Sequence, residues 1–240
     1  MPCSYALPSA RTPSPGLEGL TAAQRAMWDR LYSSDTLGKL PWAIQRPFPP
    51  LVDAVEAGWI RPPGPILDVG CGLGANTFWL AAHAFRVTGV DVAAGAITAA
   101  ETRRSADKRN PTFIVDDLLA SGLPPSKFKA AIDVGCFQTL PPCLRGDFAR
   151  GAHRVLAPAA PYLLFWVARE ERGSWGPPHR LSVGDVLSAF EPWFRVERIV
   201  HRPRNARLTR ETMRSQRPLA TLAGYSAVMV RRASSQPPAM

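Results

Sequence analysis

From residue 65 onward, short apolar runs of four to six residues alternate with longer stretches in which apolar side chains return at every third or fourth position. The first pattern suits strands buried on both faces, and the second suits helices that lie on a sheet. Strands are expected at 66–69, 86–90, 112–115, 130–134, 162–167, 195–200 and 226–230. Helices near 75–84, 93–105, 143–155 and 182–191 separate them. Such alternation predicts an α/β fold, a doubly wound and mostly parallel sheet of seven strands with helices on both faces.

Ahead of the first strand, Thr21 is placed to cap a helix over 22–31 that brings Trp28, Leu31 and Tyr32 together. A second helical pattern runs from about 49 to 59, and Pro62-Pro63-Gly64-Pro65 breaks the chain before the sheet begins. Residues 20–60 therefore form a helical unit at the front of one domain spanning 20–232. Residues 1–19 carry Pro2, Pro8, Pro13 and Pro15 among serines and two glycines, a composition that predicts a flexible leader. Residues 233–240 read as a flexible tail.

Composition narrows the class. The chain has 240 residues and 46% hydrophobic content, enough for one substantial core. Its longest apolar run, 162–168, is far short of the roughly 20 residues a membrane helix needs. The start, Met1-Pro2-Cys3-Ser4, has no basic leader or apolar h-region, so the cytoplasm is expected. Cysteines at 3, 71, 136 and 143 form no Cys-x-x-Cys pair and have no His at zinc-ligand spacing, so reduced thiols and no metal are expected. The net charge is +10, concentrated in 103–109 and 195–217. It reads as a solvated arginine-rich surface, because no aromatic-interleaved RNA motif accompanies it.

The chemistry centres on Ile66-Leu67-Asp68-Val69-Gly70-Cys71-Gly72-Leu73-Gly74-Ala75, an apolar run that becomes a glycine-rich turn and enters a helix. Glycines there let backbone N–H groups approach a ligand at a helix N-terminus. Gly70-x-Gly72-x-x-Ala75 also satisfies the loose dinucleotide fingerprint, so an NAD-dependent oxidoreductase is a competing reading. Asp68, two positions before the first glycine, favours a ligand bearing an ammonium group over a pyrophosphate that it would repel. Asp91 ends the second strand, where a carboxylate can accept both ribose hydroxyls.

The glycine pattern resembles the first motif of class I S-adenosylmethionine (SAM)-dependent methyltransferases. The resemblance implies a Rossmann-like fold and SAM as cofactor, with S-adenosylhomocysteine as its product. It assigns Asp68, Gly70, Cys71, Gly72 and Gly74 to the cofactor, together with Asp91 and Val92. Asp117 becomes the acceptor for the adenine amino group, beside Leu118, with Gly135 and Trp42 completing that set.

A longer stretch, Asp133-Val134-Gly135-Cys136-Phe137-Gln138-Thr139-Leu140-Pro141-Pro142, narrows the likeness. With Trp28, Pro41-Trp42 and Gly176-Pro177-Pro178, it is similar to the thiopurine, halide and thiol methyltransferase group. In that group an N-terminal helix and a Pro-Trp element fold over the cofactor as a lid. Gln138 stands where many relatives have His, so the general base of that place is missing here.

Methyl transfer from a sulfonium to a soft anion needs in-line placement and removal of water more than proton transfer. Phe137 and Gln138 are the expected positioning residues, with His179 as a candidate base. Trp28, Tyr32, Trp42, Phe137, Trp166 and Trp175 are candidate aromatic walls. The sequence reading is therefore a SAM-dependent methyltransferase acting on a small-molecule acceptor, at a thiol or thiolate sulfur. O- or N-methylation of a secondary metabolite is the nearest rival, and an RNA-modifying or nucleic-acid-binding protein using 202–217 is a remote one. Monomer and homodimer both stay open.

Overall fold

In the computed structural model, the described residues are 19–33, 40, 42–43, 45–61, 63–104, 111–171, 179–202 and 223–233. The leader up to residue 18, the tail from 234, Pro41, Trp175 with Gly176-Pro177-Pro178, and the whole basic stretch after Arg202 lie outside them.

The expected helix at the front is α1 (Ala22–Leu31). Thr21 caps it in a reciprocal box: its hydroxyl accepts from the Gln24 N–H, and the Gln24 side chain accepts from the Thr21 N–H at 2.9 Å. A cap of this kind contributes about 0.5–2 kcal/mol. The second helix, α2 (Pro49–Glu56), starts on a proline pair and stops sooner than the apolar pattern suggests. Gly58, at φ +77°, turns the chain out of helical geometry just beyond it.

The sheet contains β1 (Pro65–Val69), β2 (Arg86–Asp91), β3 (Thr112–Val115), β4 (Ala130–Val134), β5 (Pro161–Val167), β6 (Phe194–Arg202) and β7 (Gly224–Arg231). Its order is β3-β2-β1-β4-β5-β7-β6. The first five strands in that order are parallel, and β7 runs antiparallel to both β5 and β6. Helices α3 (Ala75–Ala82), α4 (Ala94–Glu101), α5 (Pro142–Val155) and α6 (Val183–Phe190) fill the connections. The seven-stranded, mostly parallel Rossmann-like sheet expected from the sequence is the architecture observed.

Strand alternation sorts the core onto two faces. Ile66 of β1, Ile132 of β4 and Leu163 of β5 pack with Leu51 and Leu80 of α2 and α3. Leu67, Val69 and Tyr162 point the other way, into Phe148 of α5 and Phe190 of α6. A third cluster joins Tyr32 and Trp28 from the α1 end to Ala93 and Ala96 at the start of α4, and includes Trp42. That contact brings the front of the chain to the carboxyl ends of β1 and β2.

Candidate functional site

Strand order reverses around β1, whose neighbours β2 and β4 lead to opposite sides of the sheet, and such a switch opens a crevice at the strand ends. A cavity of ≈ 180 Å³ lies there. Its floor is the turn after β1, where Gly70 and Gly72 adopt φ +64° and +52°. A Cβ on Gly70 would lie 2.5 Å from Cys136 Cβ, and one on Gly72 would lie 3.0 Å from the Tyr32 hydroxyl. Both positions therefore need glycine, for backbone conformation and for close approach.

Asp91 lines the cavity and is 8% exposed. Its Oδ2 accepts from the Gly72 N–H at 2.9 Å, and its Oδ1 accepts from the Ala93 N–H at 3.0 Å. A carboxylate has about four acceptor sites, and after the Gly72, Ala93 and Val92 N–H groups some capacity remains for a ligand hydroxyl. Burial pushes the Asp91 carboxyl up while the Ala93 and Gly72 N–H bonds pull it down. The glycine cradle and a buried carboxylate with acceptor capacity left fit the adenosyl ligand expected from the sequence.

Asp117 also lines the cavity, with Asp116 and Leu118 beside it. Its Oδ1 accepts from the Leu119 N–H at 3.0 Å. Its Oδ2 receives the Leu20 N–H at 2.6 Å and the Arg25 guanidinium at 2.8 Å, so the front of the chain is fastened to it. Asp116 holds the same turn through the Asp117 N–H and the Ser121 hydroxyl.

The expected residues Cys71, Val92 and Gly135 lie on the cavity wall, as do Trp28, Tyr32, Trp42 and Gln138. Trp42 donates from Nε1 to the Tyr32 hydroxyl at 3.2 Å. Gln138 accepts at Oε1 from the Val167 N–H at 2.8 Å, which fixes the amide so that Nε2 is the group near Gly135. Burial pushes the thiols of Cys71 and Cys136 up, so both stay protonated at neutral pH.

Five expectations are corrected by the geometry. Asp68 lies outside the cavity lining: it shares the Ile66 face of β1, is 1% exposed, and accepts from the Thr77 hydroxyl of α3 at 2.5 Å. Desolvation, with Asp133 and Asp91 nearby, pushes its carboxyl up to about 7. Gly74 caps α3 at φ +73°, and a Cβ there would lie 2.7 Å from the Phe113 ring, so its duty is packing. Phe137 is fully buried between Phe148 and Phe190 because the single 3₁₀ turn at Phe137–Thr139 sends adjacent side chains opposite ways. Trp166 stacks on Tyr225 at 5.4 Å and borders a smaller neighbouring chamber instead of the main cavity. His179 lines neither, and burial together with the Arg145 charge pushes its imidazole below the ordinary value.

Several wall residues carry no local sequence signal. Arg46 and Phe48 come from the chain before α2, Asn76 from α3, and Leu140 and Phe148 from the β4–α5 side. Among the described residues that line this cavity there is neither a histidine nor a lysine.

Residues 66–159 match a family described as a methyltransferase domain. A 2-heptyl-1-hydroxyquinolin-4(1H)-one methyltransferase of Mycobacteroides abscessus is 32% identical over 165 residues, which is 66% of this chain and 70% of that protein. Among solved structures, one from work on the conversion of a disulfide bond into a thioacetal group during echinomycin biosynthesis aligns with a TM-score of 0.71 at 22% identity, covering 88% of this chain and 95% of the other. The 1,6-didemethyltoxoflavin-N1-methyltransferase of Burkholderia thailandensis, solved with S-adenosylhomocysteine, aligns with a TM-score of 0.61 at 19% identity over 88% of each chain.

Proposed function

Because the chain belongs to the class I SAM-dependent methyltransferases, we propose that it methylates a flat, largely apolar small molecule at an acidic hydroxyl. The observation that carries this reading is the main cavity itself. Trp28, Tyr32, Trp42 and Phe48 line it, its described lining residues include no histidine or lysine to act as a base, and Gln138 offers an amide N–H beside the place where Gly135 turns. An acceptor that arrives already ionised needs no base in such a place. An acidic hydroxyl on a heteroaromatic ring meets that condition at neutral pH. The 32% identical relative is named for an N-hydroxyquinolinone, a molecule of this kind, which supports the assignment.

Bound SAM would supply an electrophilic methyl on a sulfonium, its carbon–sulfur bond breaking as the bond to the acceptor oxygen forms and S-adenosylhomocysteine remaining. On this reading Asp91 holds the ribose, Gly70 and Gly72 bring the backbone close, and Asp117 with Leu118 borders the adenine. Trp28, Tyr32 and Trp42 exclude water, which strengthens the attraction between anion and sulfonium. A Trp face near the sulfonium adds about 0.5–2 kcal/mol. Gln138 Nε2 orients the acceptor oxygen, a task for a donor and not for a base.

Transfer to a thiolate is the second reading. The same lack of a histidine or lysine among the described lining residues favours it, because thiols near pKa 8.5 ionise readily at neutral to mildly alkaline pH. A mass-spectrometric methyl-transfer screen over N-hydroxy heterocycles, phenols, aryl thiols and amines separates the two. Turnover of the hydroxyl set with little of the thiol set is expected, and the reverse order would move the assignment to sulfur.

A further inference from the structure

A second chamber of ≈ 30 Å³ opens beside the main cavity and shares Phe48, Val134, Gly135 and Gln138 with it. Its far side is built by Trp166, Tyr225 and Arg202, at the ends of β5, β7 and β6. One water needs about 10–15 Å³ of such space, so the chamber takes a group of two or three heavy atoms and excludes a ring.

Arg202 is the last residue of β6, paired with Gly224. Its guanidinium carbon lies 5.6 Å from the centroid of the Phe48 ring, which walls both chambers. Among the described residues no carboxylate comes within salt-bridge distance of it. Asp53, exposed on α2, acts on it only through space. Burial pulls its guanidinium below the ordinary value against the opposing pull of Asp53, and among the described residues no ion-pair partner restores the hydration it gives up. Gln138 Nε2 adds a neutral donor at the boundary of the two chambers, held by the Val167 bond. A guanidinium-bearing and an amide-bearing residue that line one space of carboxylate size, beside aromatic walls, suit recognition of an anion.

We infer that Arg202 and the small chamber bind an anionic group of the methyl acceptor, distinct from the atom that is methylated, so that the acceptor is an aromatic acid or a comparably charged ring compound. This assignment rests on the main cavity being the methyl-transfer site. The acceptor ring lies across Phe48, its anionic group against Arg202 and its nucleophile toward Gln138. Arg202 acts here as a specificity residue; it touches the acceptor and leaves the cofactor alone.

The test uses the full chain with S-adenosylhomocysteine and two probes of equal shape, 2-naphthoate and its neutral counterpart 2-naphthamide. Calorimetry should show at least tenfold tighter binding of the acid. In Arg202→Met that preference should fall below twofold, Arg202→Lys should keep part of it, and S-adenosylhomocysteine affinity should stay within twofold of the unaltered protein. A purely structural Arg202 would lower the melting temperature of Arg202→Met and leave the acid-to-amide ratio intact. With S-adenosylhomocysteine bound, no acid preference in the unaltered chain, no binding of either probe, or a preference that survives in Arg202→Met overturns the inference. Failure of S-adenosylhomocysteine itself to bind is a separate result that takes down the main-cavity reading with it.

Discussion

Arg25 of α1 donates from Nη2 to Asp117 Oδ2 at 2.8 Å, joining positions 92 residues apart across the mouth of the cavity. The Leu20 N–H reaches the same oxygen. The carboxylate proposed to meet adenine therefore also anchors Leu20 and Arg25 at the front of the chain.

Arg25→Ala should loosen that cover. Its side chain is 36% exposed, so the ion pair contributes no more than about 1 kcal/mol to global stability. Amide exchange over residues 20–32 should nevertheless rise several-fold. In the unaltered chain, S-adenosylhomocysteine should slow exchange over the same residues, as lids generally do when their site fills. Equal exchange with and without the ligand would contradict the coupling.

Gly72→Val should abolish cofactor binding in a chain that still folds. The substitution puts a β-branched side chain at φ +52°, with its Cβ 3.0 Å from the buried Tyr32 hydroxyl. Backbone strain of this sort costs about 1–3 kcal/mol. A lower melting temperature with native circular dichroism and no heat on titration with S-adenosylhomocysteine is the expected result; normal binding would mean that the turn does not cradle the ligand.

Gln138→Glu tests the donor. A glutamate keeps the oxygen that accepts from Val167 but replaces the amide N–H with a second oxygen, and an anionic acceptor then meets repulsion. kcat/KM for the acceptor should fall more than tenfold, a loss above about 1.4 kcal/mol in transition-state stabilisation, while S-adenosylhomocysteine binds as before. Turnover that is unchanged, or that improves because the new carboxylate serves as a base, would contradict the assignment.

Stability should fall as pH rises from about 4 to about 7. Asp68 and Asp133 are both buried and both pushed up to about 7 from an ordinary value near 3.8. Between those values the folded chain keeps protons that the unfolded chain has released, so stability present below pH 4 is lost on the way to 7 and then levels. Asp68→Asn keeps an acceptor for Thr77 and removes one such proton. Denaturant titrations of this variant should show a slope against pH reduced by about one proton over that window; an unchanged slope would mean that Asp68 is ionised in the fold.

The order of elements was legible because turn chemistry and periodicity act locally. Thr21 marked the first helix, the glycine turn marked the end of β1, and the strands begin and end within about two residues of the apolar runs. Side-chain direction at the ends of strands was harder to read. Asp68 follows the parity of Ile66 into α3, and one step around a 3₁₀ turn separates Phe137 in the core from Gln138 on the cavity wall. The contacts of Arg25 with Asp117 and of Arg202 with Phe48 join residues far apart in the chain, and no local pattern encodes them.

Calorimetric titration of S-adenosylhomocysteine into the full chain and into Asp91→Ala tests the central claim most directly, with circular dichroism to verify that the variant folds. On the proposed placement, two charge-assisted hydrogen bonds to the ribose at about 1.5–3 kcal/mol each would be lost together with the anchor of the Gly72 N–H. The account requires saturable one-to-one binding to the unaltered chain and a dissociation constant at least 100-fold higher in Asp91→Ala, a difference of about 2.7 kcal/mol. Affinity within threefold in a folded variant, or no binding to the unaltered chain, would contradict the placement of the cofactor in this cavity.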